Sequence, residues 1–266
     1  MFWKTNKPQA NAQADIDAYT HWYHTFEVVP GVVTKGEYQL EPIRDYLGNW
    51  FKLGEADLAG KSLLDVATFD GGFAFGFEDL GARVEGSDLI DQTHTGFATA
   101  HRVRKSPAKF HNVSVYDLDP AKMGPYDLVH FSGLHYHLKH PILALEKVNA
   151  VMKVGGTIFG NAASGEFMYR EKLPKGMDDA AIHAFLSQLP IAYYDDGKYN
   201  GDPTNWIFFG DAAFRTAMER AGFKVEFCKS YAMSNTTSRS TCYFKAVKIS
   251  DPQPEYWVDN HKLLAK

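Results

Sequence analysis

The chain has 266 residues, 45% hydrophobic and 23% charged, with a formal net charge of -4. This balance suits a globular protein long enough for one elaborated domain. It excludes bulk attraction to nucleic acid, two cysteines are too few for a secreted disulfide framework, and no apolar run approaches a bilayer span. A soluble, cytoplasmic protein with buried, reduced thiols is expected, with no membrane partner.

Met1 to Asp17 is polar after Phe2 and Trp3, unlike a signal peptide, and carries a short helix at Ala12 to Tyr19. His21 to Glu27 is dense in aromatics and histidine ahead of the turn at Pro30-Gly31. It can form a wall of a substrate pocket or pack on a sheet. Gly36 to Phe51 places Tyr38, Leu40, Ile43, Tyr46 and Leu47 roughly on one helical face. Residues 1–52 are read as a cap segment ahead of a domain at 53–266.

Ser62 to Ile90 organises that domain. Leu63, Leu64, Val66 and Ala67 surround Asp65 as in a buried parallel strand. Asp70-Gly71-Gly72 breaks it, and Phe73, Phe77 and Leu80 follow at helical spacing before Gly81. Arg83 to Ser87 is extended and Asp88 closes it. A glycine turn and helix N-terminus thus face a carboxylate, which suits a ligand with a ribose. A dinucleotide site wants G-x-G-x-x-G. Here those positions read Ala67, Phe69 and Gly71, with no second glycine to admit a diphosphate.

Further helix is expected at Asp91 to Arg104, a third strand at Lys109 to Tyr116 and a fourth at Tyr126 to Phe131. The fourth runs into Ser132 to Leu138. Ile142, Leu145, Val148 and Met152 mark a helix ended by Lys153 to Gly156, and Thr157 to Ala162 is the fifth strand. About fifty residues, 163–210, are not needed by the sheet. Their aromatic content and a helix at Asp178 to Leu189 read as a lid. Asp211 to Ala221 is helical, and Phe223 to Cys228 and Thr241 to Ile249 are extended around a turn-rich stretch through Asn235 to Ser240. The whole is a doubly wound α/β sheet of seven strands closed by an antiparallel hairpin, with Cys228 and Cys242 as neighbours.

Trp22 to Thr25, Gly31 to Thr34, Leu64 to Gly71, Tyr116 to Leu118, Leu134 to Leu138, His140-Pro141 and a weaker echo at Ala221 to Phe223 carry a resemblance. The chain resembles the class I S-adenosylmethionine-dependent methyltransferases, and within them those related to the tRNA wobble-uridine carboxymethyltransferase. The resemblance implies a Rossmann-like methyltransferase sheet and S-adenosylmethionine or its carboxy derivative as donor. It implies cofactor contacts from Asp65, Ala67, Gly71, Asp88, Asp117, Leu118 and Tyr136, with Asp117 near the adenine amino group and Tyr136 near the sulfonium. The family's usual first-loop glycine is Ala67 here. The tRNA enzyme's carboxylate-holding lysine is replaced by His24-Thr25, so plain S-adenosylmethionine and a small acceptor are expected.

Methyl transfer is an in-line displacement that needs a base only for a hydroxyl or acidic carbon. His135 or His137 could supply it, with Tyr136 or His24 positioning the acceptor. His135, His137 and His140 also invite a metal reading, but no carboxylate or cysteine joins them within the loop, and no metal is expected. Cyclisation or elimination at the sulfonium, an RNA modifier using the basic stretch His101 to Lys105, and a silent cofactor-binding module remain alternatives. The oligomeric state, a homodimer among the choices, stays open.

Overall fold

The computed structural model describes residues 7–197, 199–234 and 238–252. Seven strands form one sheet: β1 (Ser62–Val66), β2 (Arg83–Asp88), β3 (Lys109–Asn112), β4 (Tyr126–Phe131), β5 (Met152–Ala163), β6 (Phe223–Ala232) and β7 (Ser240–Lys248). Their order is β6-β7-β5-β4-β1-β2-β3. β1 pairs parallel with β2 and β2 with β3, whereas β7 runs antiparallel to both β5 and β6. The longer helices are α1 (Lys7–Asp17), α2 (Gly72–Asp79), α3 (Phe97–Arg104), α4 (Pro141–Ala150), α5 (Asp179–Leu186) and α6 (Asp211–Arg220). The doubly wound seven-stranded sheet with its terminal hairpin is therefore the observed fold. None of the described helices is long and apolar enough to cross a membrane.

The chain divides into two compact units, one within 1–117 and 126–130, the other within 118–125 and 131–266. In the first, Leu63, Leu64 and Val66 of β1 are buried with Phe75 and Phe77 of α2 and Phe97 of α3. The Phe75 and Phe97 rings lie 5.0 Å apart. β1 reads as a continuous apolar run because both of its faces are covered.

Three expectations for this unit are corrected. α3 starts at Phe97 and not at Asp91, because Asp91 accepts from the Thr93 backbone at 2.9 Å and makes a turn. Gly96 then takes φ +84°, where a Cβ would sit 2.7 Å from the Trp22 ring. β3 ends at Asn112, and Val115–Asp117 is a 3-10 turn. Gly36 to Phe51 is not one helix: Tyr38–Gln39 pairs with His24–Thr25, Ile43–Tyr46 is α-helical, and Leu47–Phe51 widens into a π turn ended by Lys52 at φ +57°. The basic stretch is committed internally, Arg102 to Asp15 and Arg104 to Asp79.

In the second unit, Phe214, Ala217 and Met218 of α6 are buried, as their spacing predicts. Met152 begins β5 and does not end α4, since Val151 already caps that helix. The Cys228 and Cys242 sulfurs lie 3.7 Å apart as free thiols. Of the expected turn between β6 and β7, residues 235–237 lie outside the described residues, as do 1–6 and 253–266 of the two proposed segments. Within 163–210, Asp178 caps α5 by accepting from the backbones of Ala180 and Ala181. Ala192–Tyr194 pairs antiparallel with Ile207–Phe209.

Candidate functional site

In the first unit the candidate residues gather where β1 and β2 end. Asp65 is buried, with Oδ1 2.6 Å from His130 Nδ1, while Oδ2 has no hydrogen-bond partner among the described residues. The turn that follows is strained. Ala67 and Phe69 adopt φ +58° and +49°, a left-handed conformation that side chains disfavour. Gly71, at φ +84°, cannot be replaced without collision, because a Cβ would lie 2.4 Å from the Phe75 ring.

Asp88 closes β2 with its carboxylate turned back on this turn. It accepts from the backbone of Phe69 at 3.0 Å and of Ile90 at 2.9 Å. Burial, the largest influence, raises its carboxyl above the usual value, and the two backbone donors partly offset this. Directly after it, Leu89 is 73% exposed and Ile90 is also exposed. An acceptor-only carboxylate followed by bare aliphatic surface fits a ribose diol carrying a flat base. Asp117 is exposed on its 3-10 turn, whereas the Leu118 side chain, which belongs to the second unit, is buried.

His24 approaches this turn from the N-terminal segment. Its Nδ1 lies 2.7 Å from Asp70 Oδ1, and the backbones of His24 and Tyr23 donate to Asp70 Oδ2 at 2.7 and 3.1 Å. Asp70 is fully buried. Sequence reasoning singled out His24 but gave Asp70 only a turn role. Residues 46 apart carry no local signal of pairing.

In the second unit the loop after β4 is pinned to β5. Gly133, at φ +64°, donates to the Asn161 carbonyl at 2.8 Å, and Ser132 Oγ donates to Asn161 Oδ1 at 2.6 Å. His135 turns inward, 1% exposed, stacked on Phe214 at 4.5 Å and on Phe209 at 5.7 Å. Neither ring nitrogen has a hydrogen-bond partner among the described residues. Burial first, then the neighbouring His137, pushes its pKa from 6.5 to about 3, so the ring stays neutral and is closed off from an acceptor.

Tyr136 stacks on Phe208 at 5.7 Å and its carbonyl accepts from the Trp206 backbone at 2.8 Å. His137 Nδ1 lies 2.9 Å from Thr204 Oγ1, whose hydroxyl donates to Asp202 at 2.6 Å. His137 is lowered mainly by burial, with Asp202 acting in the opposite direction. The 163–210 segment is held to its own unit by Glu166, which accepts from the Asp211 backbone at 2.8 Å and meets His183 Nε2 at 3.1 Å. The one group of three metal-capable donors among the described residues is Asp211, Cys228 and Cys242. Asp211 is already engaged there by the Ser230 hydroxyl and backbone.

Comparison with known proteins places this geometry. A family described as "Methyltransferase domain" matches residues 37–226. The ubiquinone biosynthesis O-methyltransferase of Paraburkholderia xenovorans (strain LB400) is 26% identical over 197 residues, 70% of this chain and 81% of that protein. The N-terminal domain of EvdMO1, solved with S-adenosylhomocysteine bound, is similar with a TM-score of 0.61 at 14% identity, over 92% of this chain and 99% of that one. Burkholderia thailandensis 1,6-didemethyltoxoflavin-N1-methyltransferase, with that compound and S-adenosylhomocysteine, gives 0.51 at 14% identity, over 93% and 81%. At such identities the solved structures speak for the fold.

Proposed function

The chain belongs to the methyltransferase-domain family and is an S-adenosylmethionine-dependent methyltransferase; on that premise we propose that its acceptor is a small, flat molecule. The observation carrying this reading is the contact of the 163–210 segment with the loop after β4, where the Trp206 backbone donates to the Tyr136 carbonyl and Phe208 stacks on the Tyr136 ring. Phe208 is fully buried with Tyr199 4.7 Å from it, so it backs the half-buried rings of Tyr136 and Tyr199, which are suited to a planar partner.

When bound, S-adenosylmethionine supplies a methyl group activated on a sulfonium. Asp88 would hold its ribose, the turn at Gly71 would sit beside its polar end, and Asp117 would take its adenine amino group. The chain's own work is then to bind, orient and exclude water.

One sequence relative bears the name of a small-molecule methyltransferase, which supports this acceptor class. The narrower resemblance to the wobble-uridine enzyme is kept for the donor-binding motifs alone. His24-Thr25 stands where that enzyme has its lysine, and the arginines of the basic stretch are spent on Asp15 and Asp79, which disfavours RNA. The two buried thiols accord with a reducing, cytoplasmic setting.

Calorimetric titration with S-adenosylmethionine, then mass analysis after incubation with a cell extract, tests the reading. Binding with S-adenosylhomocysteine and a small product heavier by one methyl group is expected. A different cofactor fragment, or label found only in RNA, would overturn it.

A further inference from the structure

We propose that His24, held by Asp70, is the general base of the reaction, and that the acceptor atom is therefore the oxygen of an ionisable hydroxyl. This rests on the methyl-transfer reading above and names its substrate class.

Three histidines compete for the role. His135 is enclosed between phenylalanines with both nitrogens sealed from solvent. His137 reaches a carboxylate only through the Thr204 hydroxyl, and burial opposes its protonation. His24 touches a carboxylate directly, and Asp70 is 0% exposed.

Asp70 has few other uses. Its oxygens accept from the backbones of Tyr23 and His24, from His24 Nδ1 and, at 3.4 Å, from Gly72. Asp70 thus pins the backbone of Tyr23 and His24 to the turn and fixes the orientation of the His24 ring. An ionised carboxylate only accepts, so Nδ1 carries the proton and Nε2 carries the lone pair. Nε2 makes no hydrogen bond among the described residues, and the side chain is 14% exposed. The ring rests at the start of α2, where a Cβ on Gly72 would come within 3.5 Å of the His24 Cβ, and Phe73 meets it edge-on at 5.7 Å. A ring nitrogen left without a hydrogen bond among the described residues, on a partly exposed imidazole whose other nitrogen is held by a buried carboxylate, is the arrangement of a general base.

The step balances. The acceptor hydroxyl gives its proton to Nε2 as an oxygen lone pair forms the bond to the methyl carbon. The electrons of the breaking carbon–sulfur bond go to sulfur, leaving a methyl ether and neutral S-adenosylhomocysteine, and the imidazolium returns its proton to water.

The test separates proton abstraction from turnover. The probe is 4-nitrocatechol, whose neutral and anionic forms differ in absorbance. It is titrated into protein saturated with S-adenosylhomocysteine, at a pH where the free probe is mostly neutral. The parent should bind it as the anion. His24→Asn keeps an amide N–H near Asp70 but lacks Nε2. It should melt cooperatively, bind S-adenosylhomocysteine like the parent, and hold the probe neutral and about tenfold or more weaker. His137→Gln should behave as the parent. An undiminished anion band in His24→Asn, or its loss in His137→Gln, overturns the assignment to His24 alone. If the parent binds S-adenosylhomocysteine but no probe, the hydroxyl class fails and this inference with it. If it binds neither, the methyl-transfer reading fails first.

Discussion

His130 Nδ1 lies 2.6 Å from Asp65 Oδ1, and Tyr46 OH lies 3.0 Å from Nε2 of the same ring, all three side chains being buried. The acid that closes β1 therefore braces the core with one oxygen and leaves the other unpartnered. Asp65→Ala strands a buried imidazole nitrogen, which costs about 1–3 kcal/mol. Chemical denaturation should show a lower midpoint with an unchanged slope. An unchanged midpoint would mean that this pairing contributes nothing.

Asp88→Ala should weaken S-adenosylmethionine about tenfold to a hundredfold, the range expected for one lost hydrogen bond to a charged group. The sign with pH follows from burial. The folded carboxyl sits above its ordinary value of 3.8, so its stability contribution is present below that value and lost as pH rises through the folded one. Cofactor affinity has the opposite trend and declines as pH falls through the raised value. Calorimetry across acidic pH should show this decline in the parent and none attributable to this group in Asp88→Asn.

Ala67→Gly relieves a left-handed alanine, worth about 1–2 kcal/mol, against about 0.5–1 kcal/mol of added chain entropy. The expected net is a small rise in melting temperature. Gly71→Ala instead drives a methyl into the Phe75 ring and should abolish cofactor binding. A tolerant Gly71→Ala would contradict the described turn.

His135→Phe should be neutral to stabilising and should keep methyl transfer, since the ring is stacked, neutral and without polar partners. Its depressed pKa makes the stability it allows complete above 6.5, the unfolded value, and lost as pH falls towards about 3, by about 1.4 kcal/mol per unit. The parent should therefore lose acid stability more steeply than the variant. A large fall in turnover at neutral pH would return His135 to the chemistry.

Tyr136→Ala removes the ring on Phe208 and should lower turnover at least about tenfold, a barrier change near 1.4 kcal/mol. S-adenosylmethionine affinity should stay close to that of the parent. Equal losses in both would place the ring against the cofactor rather than the acceptor.

The sheet was legible because buried parallel strands read as unbroken apolar runs and α6 keeps a clean helical stripe of Phe214, Ala217 and Met218. Loops were less so. Asp91 to Gly96 carries residues compatible with a helix, but a side-chain turn at Asp91 and the indole of Trp22 over Gly96 decide otherwise, and neither shows in local periodicity. The positions of Asp65 at the end of β1 and Asp88 at the end of β2 were readable from the extended runs they close. The partnership of His24 with Asp70, and the inward turn of His135, depend on tertiary packing that brings distant segments together.

β7, the last strand in chain order, lies between β5 and β6, and β6 joins the sheet only through it. During synthesis, β5 must therefore present an open edge from Thr157 to Ala163 until Thr241 to Val247 arrives to pair with it. Such an edge is a template for pairing with other chains. A nascent or truncated chain lacking residues 240–248 would hold most of the cofactor-side residues yet be prone to aggregate. Pairing of the hairpin is thus what covers the β5 edge.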